Sequence, residues 1–180
     1  MAPIDIRDHI DFPLEQVYET SRDKLPLMAS YLPNIEEIQV LENERIDAKS
    51  LRVANLWKAA ETEIPSMASS FIKPEMLQWT DRATWDDEAH TCTWKIEVGF
   101  MSDAIDCEGI TYYTASENKT EVHITGNFTV DASKIPGIPR LLSSKVNGMI
   151  EKFVVKLITP NLQATNRAIA SYLREQSEAS

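Results

Sequence analysis

Asp81 is the residue through which this chain would do chemistry. The segment QWTDRATW alternates, and the alternation sets Asp81 beside Trp79 as the one acid on an otherwise apolar hairpin face. A carboxylate withdrawn from water is costly unless it is hydrogen-bonded, hydrated or protonated. Desolvation raises its pKa and makes it a proton donor or acceptor near neutral pH. Thr111 and Tyr113 bring hydroxyls to the same face, while Trp57, Trp79 and Trp94 bring flat apolar surface. This set suits an apolar pocket with a polar anchor, or acid–base work on a bound ring. The competing reading is an aspartate tied to a backbone amide or a water, with the aromatic rings as ordinary core.

Other chemistries find little support. His9 and His123 fall on polar faces and His90 sits at a hairpin end; there is no HxH, HExxH or carboxylate–histidine cluster, so no metal is expected. Neither GxGxxG nor GxxxxGK[ST] occurs, so no cofactor is expected. Ser143 and Ser144 lack a nucleophile-elbow context. Cys92 and Cys107 are too few for a zinc site or a disulfide framework, and they read as small buried hydrophobes.

The 180 residues suffice for one domain spanning 1–180 with a substantial core, and 43% hydrophobic with 26% charged residues is the balance of a water-soluble domain. No apolar run approaches the roughly 20 residues a membrane span requires, and the N-terminus has neither a basic nor an apolar signal region. A cytoplasmic location is the expectation. The net charge of −10 repels phosphate backbones, so nucleic acid is not an expected partner. Residues 131–160 nevertheless carry a net +3, and Lys145, Lys152 and Lys156 lie along one helix flank. A transient contact with an anionic membrane surface is one use for that stripe; a solvated helix face is the other.

The elements that position these residues follow from periodicity. Ile4, Ile6 and Ile10 define a first strand over 2–12, with Asp8 on the same side. Pro13 then opens a helix carrying Leu14, Val17 and Tyr18, and a second short helix covers LMASYL. From about Ile35 to Asp131 the chain reads as strand hairpins. Polar loops at 86–89, 101–104 and 116–119 place Trp79 opposite Ile96, Trp94 opposite Thr111, and Gly109 opposite Gly126. The resulting rows are Trp79–Ile96–Gly109–Gly126 and Asp81–Trp94–Thr111–Ile124. Cys92 then faces Tyr113 rather than Cys107. Gly109 and Gly126 leave a gap that a ligand, or a close approach of the last helix, would fill. A hairpin around Asp47–Ser50 brings Val40 near Trp57 on the inner face. The stretch 61–74 is an insertion, either a lid or a packed surface loop. From Pro139 to Leu173 helical spacing places Leu142, Val146, Met149, Ile150, Phe153 and Leu157 on one stripe, with Pro160 expected to kink or interrupt the helix.

A strand, two short helices, six strands and a long terminal helix make the helix-grip order. With DFPLEQVYE, MASYLPNIEEIQVLE and TPNLQATNRAIASYL, the chain resembles the START-like (SRPBCC) superfamily, which includes polyketide cyclase-type and pollen-allergen-like proteins. The resemblance implies an α+β fold: a curved antiparallel sheet of about seven strands wrapped around the C-terminal helix. It also implies a pocket for a lipid, polyketide, sterol-like or other apolar molecule, and it transfers no particular site residue.

The functional expectation is binding or transport of a hydrophobic small molecule between sheet and helix. Its lining would be Trp57, Trp79, Asp81, Trp94, Gly109, Thr111, Tyr113, Gly126, Met149 and Phe153, with access near 134–142 or the 61–74 loop. The alternative is a polyketide cyclase or dehydratase in which Asp81 is the general acid or base and Tyr113 or Thr111 orients the substrate.

Overall fold

The computed structural model describes residues 1–60, 78–98, 103–134 and 140–179; the side chains of 140, 142, 145, 146, 149, 150 and 152–158 fall outside that description. The 61–74 insertion, the inward roles of Met149 and Phe153, and the Lys145–Lys152–Lys156 stripe therefore lie outside the described residues.

Seven strands form one antiparallel sheet: β1 (Ala2–Ile10), β2 (Ile35–Arg45), β3 (Ser50–Ala59), β4 (Gln78–Asp86), β5 (Thr91–Val98), β6 (Ile105–Ser116) and β7 (Lys119–Val130). Their order across the sheet is β1-β7-β6-β5-β4-β3-β2. Sequential hairpins account for every neighbour except β1, which crosses to pair with β7. Between β1 and β2 lie helix α1 (Leu14–Asp23) and a 3-10 segment, Leu25–Tyr31. Pro13 caps α1 and Pro26 stands in the first turn of the 3-10 segment, where a missing N–H costs nothing.

Helix α2 (Arg140–Glu178) closes the chain and packs on β1, β7, α1 and the 3-10 segment. Pro160 lies within α2, and of the expected kink or interruption the helical run shows no interruption there. Ala168, Ile169 and Leu173 of α2 enter the same buried cluster as Ile4, Ile6, Val122, Ile124 and Phe128 of the sheet. Glu151 ties α2 to the strand end by accepting the Val130 N–H at 3.2 Å, and Asn147 Oδ1 accepts the Ala132 N–H at 2.7 Å. The expected helix-grip architecture is therefore present.

The face of each strand follows the alternation, but the lateral register departs from expectation at three hairpins. β6 and β7 pair as expected, with Gly109 opposite Gly126 and Thr111 opposite Ile124. β4 and β5 are displaced by two residues: Trp79 faces Val98, Asp81 faces Ile96 and Ala83 faces Trp94. The turn explains this. Asp86 Oδ1 accepts the N–H groups of Glu88 and Ala89 at 3.0 and 2.9 Å, and His90 takes a left-handed φ of 50°, so the loop runs one residue later than expected. β5 and β6 are also displaced by two, setting Trp94 opposite Gly109 and Cys92 opposite Thr111 rather than Tyr113. Just before β6, Ala104 is buried and its carbonyl accepts the Asp131 N–H at 2.7 Å. At β2–β3 it is Ile38 that faces Trp57; Val40 faces Asn55, one row away, and its side chain is exposed. A displacement of two preserves which face a residue occupies and changes only its neighbours.

Candidate functional site

Strands β3 to β7 present their inward residues in rows. The first row holds Trp57, Trp79 and Val98. The second holds Asn55, Asp81, Ile96, Cys107 and Phe128. The third holds Val53, Ala83, Trp94, Gly109 and Gly126, and the fourth Leu51, Trp85, Cys92, Thr111 and Ile124. Asp81 thus neighbours Asn55 and Ile96 rather than Trp94 and Thr111, and Trp79 neighbours Trp57 rather than the glycines.

The third row fills the gap above the glycines from within. A Cβ on Gly109 would lie 2.5 Å from Trp94 Cζ2, and one on Gly126 would lie 2.8 Å from Trp94 Cη2. The Trp94 ring therefore lies against the two glycines. Its Nε1–H donates to Thr111 Oγ1 at 3.2 Å, which fixes the ring and engages the threonine hydroxyl.

Tyr113 belongs to the far end of the face. Its Cα stands three rows from Asp81, where one row had been expected. There its ring stacks on Trp85 at 5.9 Å and meets the edge of Tyr18 at 5.5 Å. Burial raises the Tyr113 phenol well above its ordinary value, so it stays neutral. Tyr18 also meets Trp85 and His90 edge-on, at 5.4 and 5.0 Å. The Tyr18 hydroxyl donates to Asp87, which also accepts from Arg22 at 2.7 Å and from Arg45 at 2.5 Å. Burial alone would lift the Asp87 carboxyl; the hydrogen bonds from Arg45 and Arg22 outweigh it and hold the group below the usual range.

The first two rows are different. Trp57 and Trp79 stack with ring centroids 5.8 Å apart and planes inclined by 16°. Asn55 Oδ1, Trp57 Nε1 and Asp81 Oδ1 are shut off from solvent and have no protein hydrogen-bond partner. Asn55 and Trp57 are 3% and 8% exposed; Asp81 keeps some surface, but its Oδ1 does not. Burial alone pushes the Asp81 carboxyl up to about 7. Burial also pushes the Cys107 thiol, on the same row, up to about 12, and raises Cys92. Both cysteines are free and neutral.

Asn55 had escaped the sequence reading, although its signal is of the same kind as that of Asp81. In LRVANLW a polar side chain occupies the inward beat between Val53 and Trp57. The unsettled β2–β3 register concealed it.

A cleft of about 820 Å³ opens at this end of the sheet. Trp79, Ile96, Val98, Ile105 and Val130 line it from the concave face, while Thr80, Lys95 and Glu97 continue it around the sheet margin to the convex face. Asn55, Trp57 and Asp81 are not among its lining residues, although Trp79 and Ile96, which pair with Trp57 and Asp81, are. Among the described residues no three His, Cys, Asp or Glu side chains are grouped to hold a metal ion, and no helix is long and apolar enough to cross a membrane.

The model of a family described as a protein of unknown function, DUF2505, matches residues 5–173. The chain belongs to the DUF2505 family. Solved structures show its fold in other settings. TTHA0849 of Thermus thermophilus is 19% identical with a TM-score of 0.67, the match covering 97% of this chain and 99% of that one. The Zhui aromatase/cyclase of Streptomyces sp. R1128 is 16% identical with a TM-score of 0.66, covering 97% and 94%. Norcoclaurine synthase of Thalictrum flavum, in complex with dopamine and hydroxybenzaldehyde, is 12% identical with a TM-score of 0.62, covering 96% and 86%. A search of curated proteins found no match. At these identities the likeness establishes the START-like helix-grip fold, which this DUF2505 chain shares.

Proposed function

We propose that this protein binds a hydrophobic small molecule between the concave face of its sheet and α2. One observation carries the reading: three buried polar atoms without protein partners gather in two adjoining rows of an otherwise apolar face, beside a stacked indole pair. Buried polar groups are almost always paired, and each orphan costs about 1–3 kcal/mol. An apolar wall with a few convergent polar groups is the usual design of a small-molecule site. Burial of the ligand's apolar area supplies the driving force, about 25 cal/mol per Å². The norcoclaurine synthase complex, with small aromatic molecules in the same fold, supports the reading by analogy of shape. Native mass spectrometry of the purified protein tests it: a retained small molecule, released by organic extraction and absent from Trp79→Ala, is expected. Protein that never carries a ligand and whose tryptophan fluorescence ignores a panel of apolar compounds would reject it.

A second reading has its own support. A carboxyl held near neutrality in an apolar setting can exchange a proton with a bound substrate, as a cyclase or dehydratase requires. The similarity of fold to an aromatase/cyclase is consistent with this. Thr111 is engaged by Trp94 and Tyr113 stands three rows away, so Asn55 is the better placed orienting group. With a poly-β-ketone substrate mimic, Asp81→Asn should abolish turnover and leave affinity intact; undiminished turnover would dismiss the catalytic role.

A further inference from the structure

Given the binding reading above, on which this inference rests, the unpartnered atoms specify more than an apolar ligand. Asn55 and Asp81 are direct cross-strand neighbours, and Trp57 follows two residues later on the same face of β3. Asn55 Oδ1 accepts hydrogen bonds and Trp57 Nε1 only donates. Asp81 Oδ1 accepts when the carboxyl is ionised and donates or accepts when it is protonated. A ligand carboxylate or phosphate would satisfy the indole but would carry an uncompensated charge out of water and bring its oxygens against the Asn55 acceptor, and against Asp81 as well whenever that carboxyl is ionised. An ammonium would satisfy the acceptors and leave the indole N–H orphaned. A hydroxyl both donates and accepts, so one group serves the two kinds of partner together.

We infer that the ligand enters head first, its hydroxyl seated among Asn55, Trp57 and Asp81, and its flat apolar body lying along the Trp57–Trp79 pair. The site thereby selects a neutral, hydroxyl-bearing apolar molecule over an anionic one such as a fatty acid. Desolvation acts in the same direction. Burial that keeps Asp81 protonated up to about pH 7 removes the ionised partner that an ammonium head would need.

Three probes of matched shape test this: naphthalene, 2-naphthol and 2-naphthoate, titrated at about pH 6, where the acid probe is ionised and the phenol is not. Affinity is followed by calorimetry, and the Trp57 and Trp79 indole N–H signals by nitrogen-15 NMR. We expect 2-naphthol to bind on the order of 10-fold more tightly than naphthalene, the worth of one satisfied buried hydrogen bond, with 2-naphthoate weakest. The Trp57 N–H signal should move downfield with 2-naphthol relative to its position with naphthalene, the added shift reporting the hydrogen bond. Asn55→Leu and Asp81→Leu should each remove the naphthol advantage while preserving naphthalene binding. Trp57→Phe keeps the aromatic body, loses only the donor, and should do the same if a leucine variant fails to fold. Equal affinity for all three probes, tighter binding of 2-naphthoate, or a naphthol advantage that survives Trp57→Phe would overturn the head-group inference and leave the apolar-ligand reading standing. If no probe binds and neither indole responds, the binding reading falls and this inference with it.

Discussion

The two ends of the concave face are built from the same kinds of residue and are finished in opposite ways. β4 reaches both, with Trp79 and Asp81 at one end and Trp85 and Asp86 at the other. At the turn end, Trp85 and Tyr113 are sealed by Tyr18 from α1, and Asp87 is held by Tyr18, Arg22 and Arg45. At the opposite end Trp57 and Trp79 stack, but Asn55, Trp57 and Asp81 each retain a buried atom without a partner. α1 supplies Val17, Tyr18 and Ser21 to close the turn end. One end contributes stability; the other keeps unsatisfied groups, which the proposed ligand would satisfy. Functional sites commonly carry such a local cost.

The sharpest break of this comparison is Tyr18→Ala. Tyr18 is 1% exposed, and its removal from the sealed end should cost about 3–5 kcal/mol in chemical denaturation. A loss below about 1 kcal/mol would erase the distinction between the ends.

The next test has the opposite sign. Asp81 has a folded pKa of about 7 against an ordinary 3.8. Its contribution to stability is therefore fully present below about pH 4 and is lost as pH rises through 7. The full effect is at most about 4 kcal/mol. Asp81→Asn should flatten this decline and make the variant the more stable protein at about pH 8, as read from unfolding free energies across the range. An unchanged slope would mean that the carboxyl is solvated.

Between the two ends lies the Trp94 seam. Gly109→Ala should cost about 1–3 kcal/mol, since the new methyl would stand 2.1 Å from the Thr125 carbonyl oxygen as well as against the Trp94 ring. Near-wild-type stability with an unmoved Trp94 indole signal would show that the ring does not rest on the glycines.

The smallest effect belongs to Asp87→Asn. The wild-type carboxyl is held low, so its stabilisation is present above the usual carboxylate range and lost as pH falls through the lowered value. The variant should lose about 1 kcal/mol or less at neutral pH, the modest figure reflecting a partly exposed cluster, and should show a shallower acid limb. An equally steep acid limb would remove Asp87 from the account.

The inward set of β4 to β7 was legible because side-chain direction in a strand alternates with period two. Trp79, Asp81, Trp94, Thr111 and Tyr113 could be placed on one face from local pattern alone, and they share that face. Their neighbours could not be read in the same way. The Asp86 turn displaced the β4–β5 hairpin by two residues and β5–β6 is displaced by two as well, a displacement to which alternation is blind. The β6–β7 register was legible because its two-residue turn, Glu117–Asn118, lies centred within the expected loop.

Alternation and element order determined the sheet, the terminal helix and the face on which Asp81 lies, because each depends on residues close together in the chain. Tertiary structure alone decided that Asp81 sits beside Asn55, that Trp94 lies against the glycines, and that Tyr113 belongs to the sealed end. It also decided which buried polar atoms find partners: a hydrogen bond across the sheet joins residues tens of positions apart, and no local pattern records whether it closes.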